Sequence, residues 1–243
     1  MFNRRLMFQR RNLLRFAAAC AVLSAAPSVG AEPRKIAMLG TGKVGQALGS
    51  VWVKAGHQVM FSSRNPDGLK AFAAGLGPSA RVGTVAEAVA FADVIVLAVP
   101  YGALPQLGKD HAAAWAGKAL VMDTCNPFEN RDGAAATAAL AKGAGVYSAE
   151  VLPGARIVRA FNAVPAARMS AGGTGAKGQR LGMPIGGDDP GALAIAEALV
   201  RDTGFEPVVV GTLAFSRYLM PRTPLAGELT VDEIKKIAAT LAP

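Results

Sequence analysis

The chain has 243 residues, 51% of them hydrophobic and 18% charged, so it can bury a core and is neither disordered nor fibrous. Its net charge of +9 includes five arginines in residues 1–31, a segment without acidic residues, and removing them leaves +4 for the rest. That remainder is scattered along the chain rather than gathered in a basic stripe, which argues against nucleic-acid binding.

Residues 1–31 have the three parts of a signal peptide. A basic segment comes first, an apolar alanine-rich segment covers 16–26, and the small residues of 29–31 suit a cleavage site. The apolar segment is too short to span a bilayer, so no stable membrane anchor is expected. The sequence RRNLLR at 10–15 resembles the twin-arginine motif, whose machinery exports folded proteins. We therefore expect export to the periplasm, by this route ahead of the general secretory one.

After the leader, short apolar runs alternate with alanine-rich helical segments. Strands are predicted at 35–39, 57–62, 93–99, 118–123 and 156–161. Helices are predicted at 44–55 and around 85–91, 102–114 and 133–142. The run DVIVLAV at 93–99 is apolar throughout, as expected for a strand covered on both faces. This alternation predicts an α/β fold with a doubly wound parallel sheet of the Rossmann type.

The pattern changes after Pro165. A glycine-rich loop at 172–178 is followed by predicted strands at 181–185 and 207–210, with an amphipathic helix at 190–202 between them. The last helix opens with a capping box at 230–233. We therefore expect two units after the leader: a Rossmann domain over 32–165, and a small C-terminal α/β lobe over 166–243 for substrate binding or dimerisation.

A glycine motif of the form G-x-G-x-x-G lies between the first predicted strand and the first predicted helix. In this setting the first glycine makes a tight turn, the second lets the backbone approach a pyrophosphate, and the third lets the helix pack on the strand. The free N–H groups of the helix end then bind the phosphates. The residues expected to bind the pyrophosphate are Gly40, Thr41, Gly42, Lys43, Val44 and Gly45.

The end of the second predicted strand indicates which dinucleotide binds. A site selective for NAD has an acidic residue here, which accepts a hydrogen bond from the ribose 2′-hydroxyl. This chain instead has serines and an arginine, with no acid until Asp67, and an arginine with flanking hydroxyls suits a 2′-phosphate. We therefore expect NADP(H) as the cofactor. The residues expected around the 2′-phosphate are Ser62, Ser63, Arg64 and Asn65.

Several segments together resemble the NADPH-dependent reductases of the deazaflavin coenzyme F420. In chain order they are IAMLGTGKVGQALG, AGHQVMFSSRNP, ADVIVLAVPYGAL, VMDTCNPF, LPGARIVRAFNAV and PIGGDDPGALAIAEALVRDTGFEPVVVGTLAFSRYL. Each segment is modest alone, but their shared order between Arg34 and Met220 is specific. The resemblance implies an oxidoreductase that transfers hydride between NADP(H) and a small flavin- or deazaflavin-like acceptor. A homodimer is also compatible with it.

The resemblance also implies where the nicotinamide end lies. The turn Val99-Pro100-Tyr101 would lie along the nicotinamide ribose, and Ala160-Phe161-Asn162 would approach the nicotinamide ring. For the side chain of Phe161, a place in the hydrophobic core is an equal alternative. Hydride transfer needs stacking and orientation more than a proton-transfer group, so no catalytic residue is assigned.

The cysteines and histidines indicate no further chemistry. Cys125 is the one cysteine after the leader, which excludes an internal disulfide, and it is expected to be a buried structural thiol. His57 and His111 lie far apart without cysteine or acidic neighbours at ligand spacing, so no metal site is expected. His57 is expected to be structural and His111 to lie at the surface.

Two other functions fit parts of the sequence. One is an exported module that binds NADP(H) without turnover, as a sensor or carrier, since a fold does not fix a function. The other is a reductase of small hydroxy acids or imines, which shares the N-terminal domain. That class needs a long helical partner domain, and the 78 residues after Pro165 are too few for its long form. The asparagine of the hydroxy-acid motif is also missing, because no asparagine follows Asn162.

Overall fold

A computed structural model describes residues 32–242; the predicted leader lies outside the described residues. Eight strands form one sheet in the order β3-β2-β1-β4-β5-β6-β7-β8. They are β1 (Lys35–Leu39), β2 (Gln58–Ser62), β3 (Ala80–Gly83), β4 (Val94–Leu97), β5 (Leu120–Asp123), β6 (Ile157–Arg159), β7 (Gly182–Gly187) and β8 (Glu206–Gly211). All neighbours are parallel except β6 and β7. The order of the first six strands is that of a Rossmann fold, which confirms the predicted fold class.

Helices cover both faces of this sheet. They are α1 (Lys43–Lys54), α2 (Lys70–Leu76), α3 (Val85–Phe91), α4 (Leu104–Asp110), α5 (Ala112–Trp115), α6 (Glu129–Lys142), α7 (Ala144–Val151), α8 (Ala166–Ala171), α9 (Pro190–Asp202) and α10 (Val231–Ala238). Short 3-10 helices lie at Pro66–Leu69, Tyr101–Ala103 and Leu213–Tyr218. None of the helices within residues 32–242 is both long and apolar enough to cross a membrane.

The strands separate two hydrophobic cores because alternate side chains point to opposite faces. In β4, Val94 and Val96 pack into the core under α1 and α9, whereas Ile95 and Leu97 pack into the core under α3 and α4. All four side chains are fully buried, so the continuous apolar sequence of this strand reflects cover on both faces.

Two predicted helices differ in extent from the structure. The helix expected around 102–114 is divided into a 3-10 turn, α4 and α5, because His111 leaves the helical conformation with φ of −124°. The helix expected around 133–142 begins earlier, at Glu129, and is interrupted at Gly133 with φ of 53°. A left-handed φ of this kind is available to glycine at little cost.

The residues of the expected C-terminal lobe extend the same sheet. β7 pairs with β6 in the antiparallel sense, and β8 then pairs with β7 in the parallel sense. Thr230 and Glu233 form the predicted capping box at the start of α10, with the Thr230 hydroxyl accepting from the Glu233 N–H. The division of the chain near Pro165 into two units stays a prediction.

Candidate functional site

The candidate site lies where the strand order reverses. β1 pairs with β2 on one side and with β4 on the other, and the chain continues outward from both. In open α/β sheets, ligands bind at the carboxyl ends of the strands beside such a reversal. The turns after β1 and β4 meet here, since the Ala98 N–H donates to the Leu39 carbonyl at 2.8 Å.

The three motif glycines have separate structural reasons. Gly40 has a φ of +93°, and a Cβ there would lie 2.5 Å from the carbonyl oxygen of Ala98. A Cβ on Gly45 would lie 2.1 Å from the carbonyl oxygen of Gly40, so only glycine lets α1 start this close to the strand. A Cβ on Gly42 would have no neighbour within 4 Å. Gly40 and Gly45 are therefore required by the fold, whereas Gly42 leaves space above the turn.

The amino end of α1 has no cap of its own. Gly42 is the N-cap residue and supplies no side-chain hydrogen bond, and the first turn contains no acidic residue. The first N–H groups of this twelve-residue helix are therefore available to an anion, beside the positive end of the helix dipole. Thr41 is 8% exposed and donates its hydroxyl to the Ser62 carbonyl at 3.0 Å, which ties the glycine turn to the end of β2.

The end of β2 places its polar residues differently from one another. Ser62 is fully buried and its hydroxyl donates to the Met38 carbonyl at 3.0 Å, so we leave this residue out of the 2′-phosphate site. The Ser63 hydroxyl accepts from the Asn65 N–H at 3.1 Å and shapes the turn. Arg64 is exposed at that turn.

No acidic side chain within residues 32–242 forms an ion pair with Arg64. The nearest acid in the sequence, Asp67, pairs with Lys70 at 2.7 Å instead. The Arg64 guanidinium can therefore bind an external phosphate without first breaking a bond within the protein.

The turn after β4 presents its backbone, not its tyrosine, to this edge. Tyr101 is fully buried, and its hydroxyl contacts the Ala144 carbonyl at 2.5 Å and the Ser148 hydroxyl at 2.8 Å. Burial, and then the nearby Asp123 carboxylate, raise the pKa of Tyr101 well above its usual value. The tyrosine side chain is thus a structural group of the core, so the expectation that this turn lies along the ribose concerns its backbone and stays a prediction. Val99 is half-buried and Pro100 is exposed at the edge.

The segment after β6 is strained and buried. Phe161 has a φ of +64°, a left-handed conformation that costs a non-glycine residue about 1–3 kcal/mol. Its ring packs edge-on against Trp52 and Phe205, with centroids 6.2 and 6.4 Å away, so the side chain belongs to the core. Ala160 and Asn162 are also buried on either side of it. The packed ring therefore holds the backbone of this segment in its unusual turn.

Residues 35–127 match the family described as NADP oxidoreductase, coenzyme F420-dependent. This part of the chain is similar to that family. The match includes the glycine turn, the end of β2 and the turns after β4 and β5, and it confirms the family expected from the sequence. NADP(H), the cofactor expected from the residues after β2, is the cofactor of the family.

The relatives and solved structures agree with this assignment. The rat metalloreductase STEAP3 is 34% identical over 190 residues, covering 76% of this chain and 36% of that protein. A hypothetical protein of known structure from Sinorhizobium meliloti is 28% identical, with a TM-score of 0.68, covering 81% of this chain and 95% of that one. A protein from an Arthrobacter species, provisionally described as an F420-dependent NADP reductase, is 25% identical, with a TM-score of 0.61, covering 76% and 87%. The chain spans about a third of the length of the curated relatives it matches.

One buried carboxylate that the sequence did not indicate joins two turns of the site. Asp132, near the start of α6, accepts from the Gly102 N–H at 3.1 Å and from the Phe128 N–H at 3.0 Å. Arg131 also donates to both of its oxygens. Burial alone would raise the pKa of Asp132, but the hydrogen bonds from Arg131, Phe128 and Gly102 outweigh it and lower the pKa.

A second group missed from the sequence lies under the edge of the sheet. Asp123 and Arg159, the last residues of β5 and β6, form a fully buried ion pair with 2.6 Å between Oδ2 and Nη1. Asn126 and Asn162 lie just above them, in the turns that follow these strands. The signal in the sequence is a charge at the end of each apolar run, in VMD and IVR.

The cysteine and the histidines of the described residues are structural. Cys125 is 3% exposed, and burial, followed by the Asp123 carboxylate, raises the pKa of its thiol well above the usual value. His57 is buried: its Nδ1 accepts from the Arg34 N–H, and its Nε2 lies 3.0 Å from the Asp202 carboxylate. His111 is half-buried rather than at the surface, and its ring packs edge-on against Trp115.

Proposed function

We propose that this chain is an NADPH-dependent oxidoreductase whose acceptor is a flavin- or deazaflavin-like ring. The observation that carries the proposal is the pairing of an uncapped helix end with an exposed arginine that has no acidic partner among residues 32–242. Gly42 opens the path to the α1 amino end, and Arg64 lies at the end of the adjacent strand. A pyrophosphate needs one anion-binding site and the 2′-phosphate needs a second, and the helix end and the arginine supply one each.

The residues present fit the phosphates of NADP(H). The open space above Gly42 accommodates the pyrophosphate, and the first N–H groups of α1 donate to it. Arg64 binds the 2′-phosphate, with the side chains of Ser63 and Asn65 beside it, and a carboxylate that would repel this phosphate is missing from the end of β2. A groove of about 440 Å³ along α1 starts at Lys43, so the basic side chain next to the turn is also accessible.

The turns after β4, β5 and β6 form the nicotinamide end of the proposed site. When bound, NADPH supplies a hydride from its nicotinamide ring to the acceptor. Val99, Pro100 and Asn126 lie at the accessible edge and position the ring, while Phe161 and Tyr101 fix these turns from the core. The buried tyrosine and cysteine hold their protons firmly, so orientation and exclusion of water are the roles of this chain's residues.

Fluorescence titration of the chain with NADPH and NADH tests the cofactor assignment. We expect NADPH to bind at least about 10-fold more tightly, and Arg64→Ala to remove this preference without weakening NADH binding. Lys236→Ala is the matched control, because it removes one exposed positive charge on α10, in a different part of the sequence. A preference for NADPH that survives in Arg64→Ala would contradict the proposed role of this arginine.

Stopped-flow absorbance with NADPH and a set of acceptors tests the reaction. The set comprises flavins, deazaflavins and, because one relative is named a metalloreductase, ferric chelates. We expect oxidation of NADPH by at least one ring acceptor. Turnover with ferric chelates alone would move the proposed acceptor from a flavin-like ring to a metal ion.

A second candidate is a module that binds NADP(H) without turnover, and the leader-like sequence of residues 1–31 favours it. A twin-arginine pathway exports proteins after folding, so such a protein can carry a bound nucleotide. Stoichiometric NADP(H) in the purified protein, with no oxidation by any acceptor, would support this candidate over the reductase.

We also propose that residues 1–31 direct export to the periplasm. The twin-arginine route depends on the paired arginines, whereas a general secretory signal needs only positive charge. Replacing Arg10 and Arg11 by lysine keeps that charge. We expect the double variant to remain in the cytoplasm on cell fractionation; unchanged export would favour the secretory route, and a wild-type protein found only in the cytoplasm would refute export.

A further inference from the structure

The buried ion pair under the sheet edge has a location that suggests a role. Asp123 and Arg159 are partners in the register of β5 and β6, and both side chains are fully buried. Removing two charges from water is costly, and well-packed apolar residues often stabilise a fold equally well in such a place. The pair therefore calls for a reason other than general stability.

The ion pair holds Cys125, the second residue of the turn after β5. Asp123 Oδ1 accepts from the Cys125 N–H at 2.8 Å, and Arg159 Nη2 donates to the Cys125 carbonyl at 3.0 Å. The two members of the ion pair thus bind the backbone N–H and the backbone carbonyl of Cys125. The same guanidinium nitrogen lies 3.4 Å from Asn126 Oδ1, which extends this support to the next side chain.

Two asparagines then fasten this turn to the turn after β6. Asn162 Nδ2 donates to the Cys125 carbonyl at 3.1 Å, and Asn126 Nδ2 donates to the Asn162 carbonyl at 2.8 Å. Asn162 directly follows Phe161, whose left-handed backbone is held by its buried ring. The two turns therefore form one unit. The ion pair binds its backbone from the strand ends, and the two asparagine amides join the turns to each other.

The network also reaches the turn after β4. Ser148 donates its hydroxyl to Asp123 Oδ2 at 2.8 Å and contacts the Tyr101 hydroxyl. Asp123 is therefore linked to all three turns at the end where the nicotinamide is proposed to bind, and to none of the residues proposed to bind the phosphates. A support confined to one half of a site indicates a role in that half.

We propose that the Asp123–Arg159 pair is a positioning element for the nicotinamide half of the dinucleotide, acting through the turns at 124–127 and 160–163. This inference rests on the proposed function. Reacting rings need alignment within a fraction of an ångström, which loose turns do not provide. Phosphate binding tolerates more movement, so the pair should matter for one end of the ligand and not for the other.

The experiment compares NADPH with 2′-phospho-ADP-ribose, which has the same phosphates but lacks the nicotinamide. The variant is Asp123→Asn with Arg159→Met, which removes both charges at nearly constant volume. We expect the fragment to bind within about 2-fold of wild type, while the advantage of NADPH over the fragment falls about 10-fold. The dihydronicotinamide fluorescence of bound NADPH should also show faster loss of anisotropy, because the ring moves more freely.

Two further variants distinguish the positioning role from a general loosening of the fold. Arg159→Lys keeps the charge but lacks the planar guanidinium fork that spans Asp123 and the Cys125 carbonyl, so the NADPH advantage should fall by about 3-fold even if the double variant folds poorly. His57→Gln with Asp202→Asn removes another buried polar pair, which takes no part in the proposed site, and should leave both affinities unchanged. A loss of NADPH advantage in this control would show a general loosening and overturn the specific role.

The remaining outcomes separate the inference from the proposed function. Wild-type protein that binds neither NADPH nor the fragment would overturn both. Wild-type protein that binds both ligands, with an NADPH advantage that persists in the double variant and in Arg159→Lys, would overturn the positioning role alone.

Discussion

The two halves of the candidate site are made of different parts of the polypeptide. Around β1 and β2 the site consists of backbone and exposed groups: the uncapped end of α1, the open space at Gly42 and the exposed Arg64. Around β5 and β6 it consists of buried side chains, with Asp123 and Arg159 beneath two asparagine-linked turns.

The difference follows from what each half has to do. A phosphate carries its own charge, so free N–H groups and one cation are enough to bind it, and those groups can lie at the surface. A ring that reacts needs a fixed position, which packed and hydrogen-bonded neighbours provide. Substitutions at exposed positions of the first half should therefore change affinity, whereas substitutions in the second half should first change stability.

The largest expected effect is in the second half. Arg159→Met leaves the Asp123 carboxylate buried without its partner, and we expect the free energy of unfolding to fall by about 3–5 kcal/mol. Adding Asp123→Asn should restore most of this loss, because no buried charge remains. Urea denaturation of both variants measures the difference; a double variant as unstable as the single one would show that the pair itself stabilises the fold.

The next prediction is an exception to this comparison, because a substitution in the first half is expected to lower stability. In Gly45→Ala the new Cβ would overlap the Gly40 carbonyl oxygen, so the turn and the start of α1 must separate. We expect a loss of about 1–3 kcal/mol in stability together with loss of NADPH binding. Thermal denaturation and titration measure the two losses; normal affinity in a folded variant would count against the glycine turn as the phosphate site.

Gly42→Ala sharpens the comparison, because the same change three residues earlier meets nothing in the protein. Its φ of −78° suits alanine, so we expect stability to change by less than about 1 kcal/mol. The methyl group occupies the space proposed for the pyrophosphate, and the Kd for NADPH should rise at least about 10-fold. The two glycine variants, compared side by side, distinguish space needed by the fold from space needed by the ligand.

The last expected effect concerns the carboxylate that joins the turns after β4 and β5. The pKa of Asp132 is lowered in the folded chain, so its stabilisation is present above about pH 4 and is lost as the pH falls through the lowered pKa. We expect Asp132→Asn to cost about 1–2 kcal/mol at neutral pH. The difference in free energy of unfolding between wild type and variant, measured by urea denaturation, should decrease below pH 4. A difference that stays constant with pH would contradict this assignment.

Much of the fold could be predicted because it depends on local sequence. β1 and α9 have the predicted bounds, since an apolar run defines the strand, and Asp189 with Pro190 defines the start of the helix. β3 was missed because its four residues, ARVG, lie at the sheet edge and are mostly not buried. Such a strand is determined by its pairing with β2, which a local pattern does not contain.

Residue spacing alone predicts only the first half of the candidate site, and the turns of the second half were expected from the resemblance. A glycine motif describes backbone, so spacing alone placed Gly40, Gly42 and Gly45. Spacing could not tell that Ser62 turns inward while Arg64 is exposed, because that depends on where β2 ends and on a partner carbonyl in β1. The ion pair was missed for the same reason, since its members are 36 residues apart and meet only through the register of two strands.

Cys125 makes this second half observable without any acceptor. It is the one cysteine among the described residues, and its buried thiol contacts the Leu97 carbonyl at the end of β4 and keeps its proton, because burial raises its pKa. A thiol reagent can reach this buried group only when the turn after β5 moves away from β4, and it then reacts with the thiolate form. The rate of alkylation therefore measures how often this turn opens, and a bound nicotinamide should lower that rate.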